Sequence, residues 1–178
     1  MLHFRDMEVV IAPNPKLRVS TKPVKKVSSS LLKTIKDMVS LTKTFKDPEG
    51  VGLASTQIGL EEQYFVARLN DGTFKAFFNP KIISTSKFTK KMMEGCLSIP
   101  NIWGEVSRHL WVKVSYLDEQ GQEVKQKLTG LAAHIFQHET DHLSGKLFVD
   151  KVLQEKSKLY KVIGKDKAGD DIYQEIEL

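Results

Sequence analysis

The chain has 178 residues, 40% hydrophobic and 28% charged, which fits one soluble globular domain with an ample core and excludes wholesale disorder. Its net charge is +5, and the basic residues between Lys16 and Lys46 alternate with Val, Leu and Ile, so they read as a solvated face rather than a specific nucleic-acid site. One cysteine, no apolar run of membrane-spanning length and no signal-peptide layout across Met1–Val10 exclude a disulfide scaffold and lead to a cytoplasmic expectation without a membrane partner.

In chain order, Pro13-Asn14-Pro15 and Pro23 mark an irregular, extended opening. Ser28-Ser29-Ser30 offers helix caps, and Leu31, Leu32, Ile35, Met38, Val39 and Phe45 recur at intervals of three and four, predicting a helix over 29–45. Asp47-Pro48 stops it. The Tyr-, Phe- and Val-rich stretch Gln63–Leu69 predicts a strand, turned by Asn70-Asp71-Gly72 into a second at Phe74–Phe78. Asn79-Pro80 should break that pattern, which resumes over Lys81–Phe88. Trp111–Leu117 alternates two faces and turns through Asp118–Gly121 into Gln122–Leu128. Thr129 to about Leu143 is expected helical with Gly145 as its cap, followed by a short helix near Val149–Ile163 and a final strand over Ile172–Leu178. Strands gather in the middle and helices towards the ends, so the fold class is α+β: a single domain over 1–178 with a C-terminal tail from about 152.

The strongest local signal is His138-Glu139-Thr140-Asp141-His142, an H-E-x-x-H pattern. Residues four apart on a helix lie on one face, so both imidazoles can grip one ion. Glu139 lies about 100° further round, too far aside to ligate comfortably but able to reach a water beside the ion and move its proton. His134 extends the stripe by a turn, yet three successive turns span about 12 Å, and bonds near ~2 Å cannot reach both ends. His134 is therefore expected in the pocket wall or behind the ligands. The third ligand must come from elsewhere. Cys96, in a loop expected around Glu94-Gly95-Cys96-Leu97-Ser98-Ile99-Pro100, would complete an N, N, S set; Glu94 and Asp141 are the oxygen alternatives.

Three segments together carry a family resemblance. Gly50-Val51-Gly52-Leu53-Ala54-Ser55-Thr56-Gln57 resembles the G-x-G-L-A-A-x-Q motif of peptide deformylases. Glu94-Gly95-Cys96-Leu97-Ser98 matches that family's E-G-C-L-S, and Gln137–His142 its Q-H-E-x-D-H. The resemblance spans roughly residues 8–150, and it implies a peptide-deformylase-like fold of antiparallel sheets around the helix carrying the two histidines. It implies removal of the formyl group from N-terminal formylmethionine of nascent polypeptides. Cys96, His138 and His142 would hold one divalent ion, Fe(II) by family likeness with Zn, Ni or Co able to replace it. Glu139 would be the general acid/base, and Gln57 with the backbone N–H of Leu97 would stabilise the oxyanion. Glycines 50 and 52 would let the peptide lie along this segment like an added strand. Val51, Glu94, Leu131 and His134 would lie near the pocket for the methionine side chain, with Gly52 also among the substrate-binding residues.

Ser55 departs from the family's second alanine and brings a hydroxyl that needs a partner if buried. His134 stands where relatives often carry Arg or an aliphatic residue. The tail does not read as a long basic helix, so it lends no support to ribosome contact. Two other readings share parts of this pattern: an H-E-x-x-H metallopeptidase, against which Cys96 speaks, and a non-catalytic peptide-binding relative, against which Gln57 and Glu139 speak.

Overall fold

The computed structural model describes residues 7–177; positions 1–6 of the Met1–Val10 segment, and Leu178 of the expected final strand, lie outside it. Helix α1 (Ser29–Thr44) starts where the Ser28 hydroxyl accepts the Leu31 N–H at 3.2 Å and ends before Asp47-Pro48. Strand β1 (Gly52–Ala54) passes into a 3-10 turn over Ser55–Ile58, then β2 (Tyr64–Arg68) turns at Gly72, in the left-handed region at φ 83°, into β3 (Phe74–Thr85). β4 (Thr89–Cys96) and β5 (Ile99–His109) form one long hairpin. β6 (Trp111–Leu117) and β7 (Glu123–Thr129) lead into helix α2 (Gly130–Leu143). Helix α3 (Phe148–Glu155) and the strands β8 (Leu159–Lys165) and β9 (Asp171–Ile176) close the described chain.

The fold is α+β with every strand pairing antiparallel. One sheet runs β1-β2-β3-β6-β7 and the other β4-β5-β8-β9. Because successive strand residues point to opposite faces, the first sheet can bury both of its faces. Phe65, Ala67, Phe77, Val112, Val114 and Tyr116 pack with Phe136 and Ile135 of α2. Tyr64, Val66, Ala76 and Phe78 face Ile35 and Met38 of α1. Phe136 meets Phe65 and Phe77 edge-on, each at 5.1 Å between ring centres, a favoured aromatic geometry that fixes α2 on the sheet. Helix α2 is consequently buried on nearly all sides.

Three expectations need correction. Asn79-Pro80 does not end a strand: β3 continues through it on a bulge, with Asn79 left-handed at φ 48° and its side chain bonded to both Val24 N and Val24 O at 2.7 and 2.9 Å. Cys96 is not in an open loop but is the last residue of β4, with Leu97-Ser98 as a two-residue turn before Ile99. The helix expected to reach Ile163 stops at Glu155, where Lys156 turns left-handed at φ 50°, and Leu159 onwards pairs with the edge of β5. Helix propensity lost there to an open strand edge, which offers a full row of backbone partners.

The N-terminal segment packs behind the two short turns that bear on the site. Val10 N–H donates to Gln57 O at 2.7 Å, and Ala12 N–H to Ser98 O at 2.9 Å.

Candidate active site and metal centre

Three elements converge on one point. α2 contributes His138, Glu139 and His142; the end of β4 contributes Glu94 and Cys96; the 3-10 turn after β1 contributes Gln57. α2 is anchored at its start by Asn70, whose Oδ1 accepts the Ala132 N–H at 3.1 Å, and at its end by Gly145, left-handed at φ 68°, whose N–H caps His142 O at 3.0 Å. The histidines are thus held at fixed height over the sheet.

The ligand-type atoms of Cys96, His138 and His142 all lie within 4.8 Å of one another, and this is the metal-compatible cluster among the described residues. Cys96 Sγ is 3.3 Å from His142 Nε2. His138 Nδ1 is 2.8 Å from Glu94 Oε2, which leaves its Nε2 as the nitrogen available to an ion. Burial drives His142 well below its ordinary pKa, so it stands as the neutral imidazole a metal requires. Burial acts the same way on His138, but hydrogen bonding to Cys96 and Glu94 outweighs it and favours positive charge there. The same surroundings would welcome a cation. The donor set therefore fits a divalent ion.

Glu94 does not ligate in this geometry; it is the hub behind the ligands. Its carboxylate accepts from Arg108 Nε at 2.6 Å and Nη2 at 3.0 Å, from His134 Nε2 at 2.7 Å and from His138 Nδ1 at 2.8 Å. Burial alone would raise its pKa, yet these donors pull it far below the usual carboxylate range. Asp141, the other oxygen alternative, is held by Arg108 Nη1 at 2.5 Å. Arg108 and Ser98 were not legible as site residues. Arg108 lies in β5, a strand without a clear alternation in its sequence, and it is only 4% exposed.

Gln57 is fixed at both ends of its amide. Its Oε1 accepts the Ala54 N–H at 2.8 Å, so its Nε2 donates towards Cys96 Sγ at 3.4 Å and Ser98 Oγ at 3.2 Å. Ser55 satisfies its own polar atom by donating to Glu62 O at 2.5 Å. Leu97 sits in the turn beside Cys96 with its side chain in the α1-side core. Glu139 is buried, one carboxylate oxygen has no hydrogen-bond partner, and burial pushes its carboxyl up to about 7. Gly52 lies against it so closely that a Cβ there would collide with the carboxylate.

A cavity of about 270 Å³ opens above this cluster. Val51, Gly52, Gln57, Glu94, Cys96, Leu97, His134, His138 and Glu139 all line it, and Leu131, 43% exposed, stands on its wall. The sequence-derived residues are therefore gathered at one cavity, apart from His142, which lies beneath it against Cys96.

The polypeptide deformylase family model matches residues 6–158. The chain belongs to the peptide deformylase family. It is 40% identical over 139 residues to the peptide deformylase of Thermotoga maritima, covering 78% of this chain and 82% of that one. The Mesorhizobium japonicum peptide deformylase is 39% identical over 168 residues, covering 90% and 94%. Among solved structures, the Thermotoga maritima peptide deformylase superposes with a TM-score of 0.75 at 38% identity, over 82% of this chain and 96% of that one. A peptide deformylase of Synechococcus elongatus in complex with actinonin gives 0.74 at 36%, over 82% and 78%. Membership in the family makes this chain an enzyme of the hydrolase class with the deformylase fold, and no helix among its described residues is long and apolar enough to cross a membrane.

Proposed function

We propose that this peptide deformylase hydrolyses the N-formyl amide of formylmethionine at the start of nascent polypeptides, releasing formate in the cytoplasm. The observation that carries the reading is the convergence of Cys96, His138 and His142 at the base of a cavity that also holds Glu139 and the Gln57 amide.

Cys96, His138 and His142 would hold one divalent ion, with Fe(II) as the native choice and Zn, Ni or Co as replacements; intrinsic affinity alone favours zinc over ferrous iron. When bound, such an ion acts as a Lewis acid on water and on the substrate carbonyl. The protein's own residues do the rest. The methionine side chain occupies the cavity among Val51, Glu94, Leu131 and His134, with the peptide backbone laid against Gly52 and Val51. Gln57 Nε2 and the Leu97 N–H stabilise the negative charge that develops on the formyl oxygen, and the fixed amide of Gln57 needs no reorganisation to do so. Glu139, with its carboxyl near 7 and one oxygen free, takes a proton from the attacking water and passes it to the leaving amine. A carboxyl poised near 7 can both accept that proton and return it at neutral pH.

The test is an anaerobic assay with a formyl-Met-Ala peptide, comparing ferrous iron, zinc and chelator. Formate release that chelator abolishes is expected; release of N-formylmethionine and alanine without formate would favour a peptidase and overturn the reading. Cys96→Ala should lower bound metal markedly by elemental analysis, and an unchanged stoichiometry would remove Cys96 from the ligand set.

A further inference from the structure

The family match ends at residue 158, and the β8–β9 hairpin begins at Leu159. This hairpin is not a loose appendage. β8 pairs with β5 at Gly104, Trp103 and Ile102, and Lys165 near its tip bridges Asp171 at 2.7 Å and Asp47 at 2.6 Å. Asp47 belongs to the loop that leads from α1 into the Gly50–Gly52 segment, so the ion pair straps the hairpin to the rim of the active-site cavity.

A second cavity of about 260 Å³ lies at this junction. Asp47, Pro48, Trp103, Val162, Lys165 and Asp171 are among the residues around it, and Pro48 and Trp103 also line the cavity above the metal cluster. The two spaces share a wall. Their order along the chain gives direction: Gln57 and Gly52 stand at the reacting centre, then Val51, Glu49 and Pro48 line the first cavity outward, and Asp47 faces the second. A peptide laid along this segment with its formyl end at Gln57 runs out towards Pro48. Four residues of extended chain reach at most about 14 Å, and the segment beside which the substrate would lie runs from Gly52 back to the turn at Asp47-Pro48, where the two cavities meet.

We infer that the C-terminal hairpin is the outer wall of the substrate cleft and that the second cavity takes the side chain of the fourth residue of the formyl-peptide, with a cationic end preferred. The preference follows from charge and shape. Asp47, Asp171 and Lys165 together leave one net negative charge at the cavity, and Trp103 offers an aromatic surface to the stem and head of a long basic side chain. Lys165 acts as a positioning residue, since it holds the wall in place rather than touching the reacting atoms. The inference rests on the deformylase reading, and the dipeptide measurement below tests that reading separately.

The experiment measures formate release from formyl-Met-Ala and from formyl-Met-Ala-Ala-Lys and formyl-Met-Ala-Ala-Glu, at low ionic strength, with the metal-loaded enzyme. KM should be about two- to fivefold lower for the Lys tetrapeptide than for the Glu tetrapeptide. Val162→Trp, which fills the second cavity from β8, should raise KM for the Lys tetrapeptide at least threefold and leave kcat and the dipeptide unchanged. Lys165→Ala, which leaves Asp47 and Asp171 without their shared cation, should raise KM for the Glu tetrapeptide and widen the Lys-over-Glu preference without changing the dipeptide, and Lys165→Arg should restore the wild-type ratio. Failure of the wild-type enzyme to deformylate the dipeptide would sink the deformylase reading. Normal dipeptide turnover with equal KM for the two tetrapeptides, or variants that treat dipeptide and tetrapeptides alike, would overturn the outer-wall assignment.

Discussion

At the scale of single residues the site is governed by burial without compensation at one carboxylate and over-compensation at the other. Glu139 has no cationic hydrogen-bond partner and keeps a raised pKa, which suits proton transfer near neutral pH. Glu139→Ala should retain its metal by elemental analysis while turnover falls by at least about 100-fold. Retained turnover would mean that the proton moves by another route. Glu94, by contrast, is held by four hydrogen bonds from three side chains, and Arg108 bridges it to Asp141. Arg108→Met removes the partner of a buried charge, so a loss of about 3–5 kcal/mol is expected by denaturant titration. Because Glu94 also orients His138, metal affinity should fall about 10–100-fold in the same variant. Loss of stability with wild-type metal affinity would detach Glu94 from the orientation of His138.

The residues that sequence made legible were those tied to local spacing: two histidines one turn apart, a glutamate beside them, and a cysteine in a short motif. Arg108 and Ser98 escaped because their roles depend on which strands become neighbours. Nothing in Ile99–His109 has a periodicity that marks it as paired with Thr89–Cys96. Gly95 and Gly104 interrupt the pattern for reasons visible only in three dimensions. The Trp103 ring lies 3.2 Å from where a Gly95 Cβ would stand, and Gly104 gives way to Val152 and Phe148 of α3.

At the scale of elements, the amphipathic helix α1, the β2–β3 turn and the two-faced strand β6 follow directly from the order of their residues. The C-terminal boundary of α3 did not, because Leu159–Ile163 satisfies a helical and an extended pattern equally and the edge of β5 decides between them. α3 is itself held by a contact across the chain. The Asp150 carboxylate accepts the Leu147 N–H at 2.8 Å and forms a bidentate pair with Arg18. Burial tends to raise its pKa, but the Arg18 and Leu147 bonds win and lower it. A depressed carboxylate stabilises the fold above its unfolded pKa, near ~3.9, and that contribution is lost as pH falls through the lower folded value. Both partners are over a third exposed, so the effect is worth under about 1 kcal/mol. Urea midpoints measured from pH 6 downward should therefore fall more steeply for the wild type below about pH 4 than for Asp150→Asn. Parallel curves would show that the pair carries no net stability.

At the scale of the whole molecule, the two sheets differ in how deeply they are covered. The β1-β2-β3-β6-β7 sheet has a helix against each face, whereas β9 pairs only with β8 and most of its residues are exposed. Opening free energies should follow that contrast. In hydrogen exchange, amides of α2, β2 and β3 should be the last to exchange and those of β9 the first among the strands. Equal protection of β9 and β2 would show the hairpin to be part of the same cooperative unit.

The backing of the Gln57 and Ser98 turns by Val10 and Ala12 has one more effect. One short run of extended chain ties together the turn that carries the Gln57 amide and the turn that follows Cys96. The spacing between the amide donor and the thiolate is therefore set from behind, by a segment that does not line the cavity.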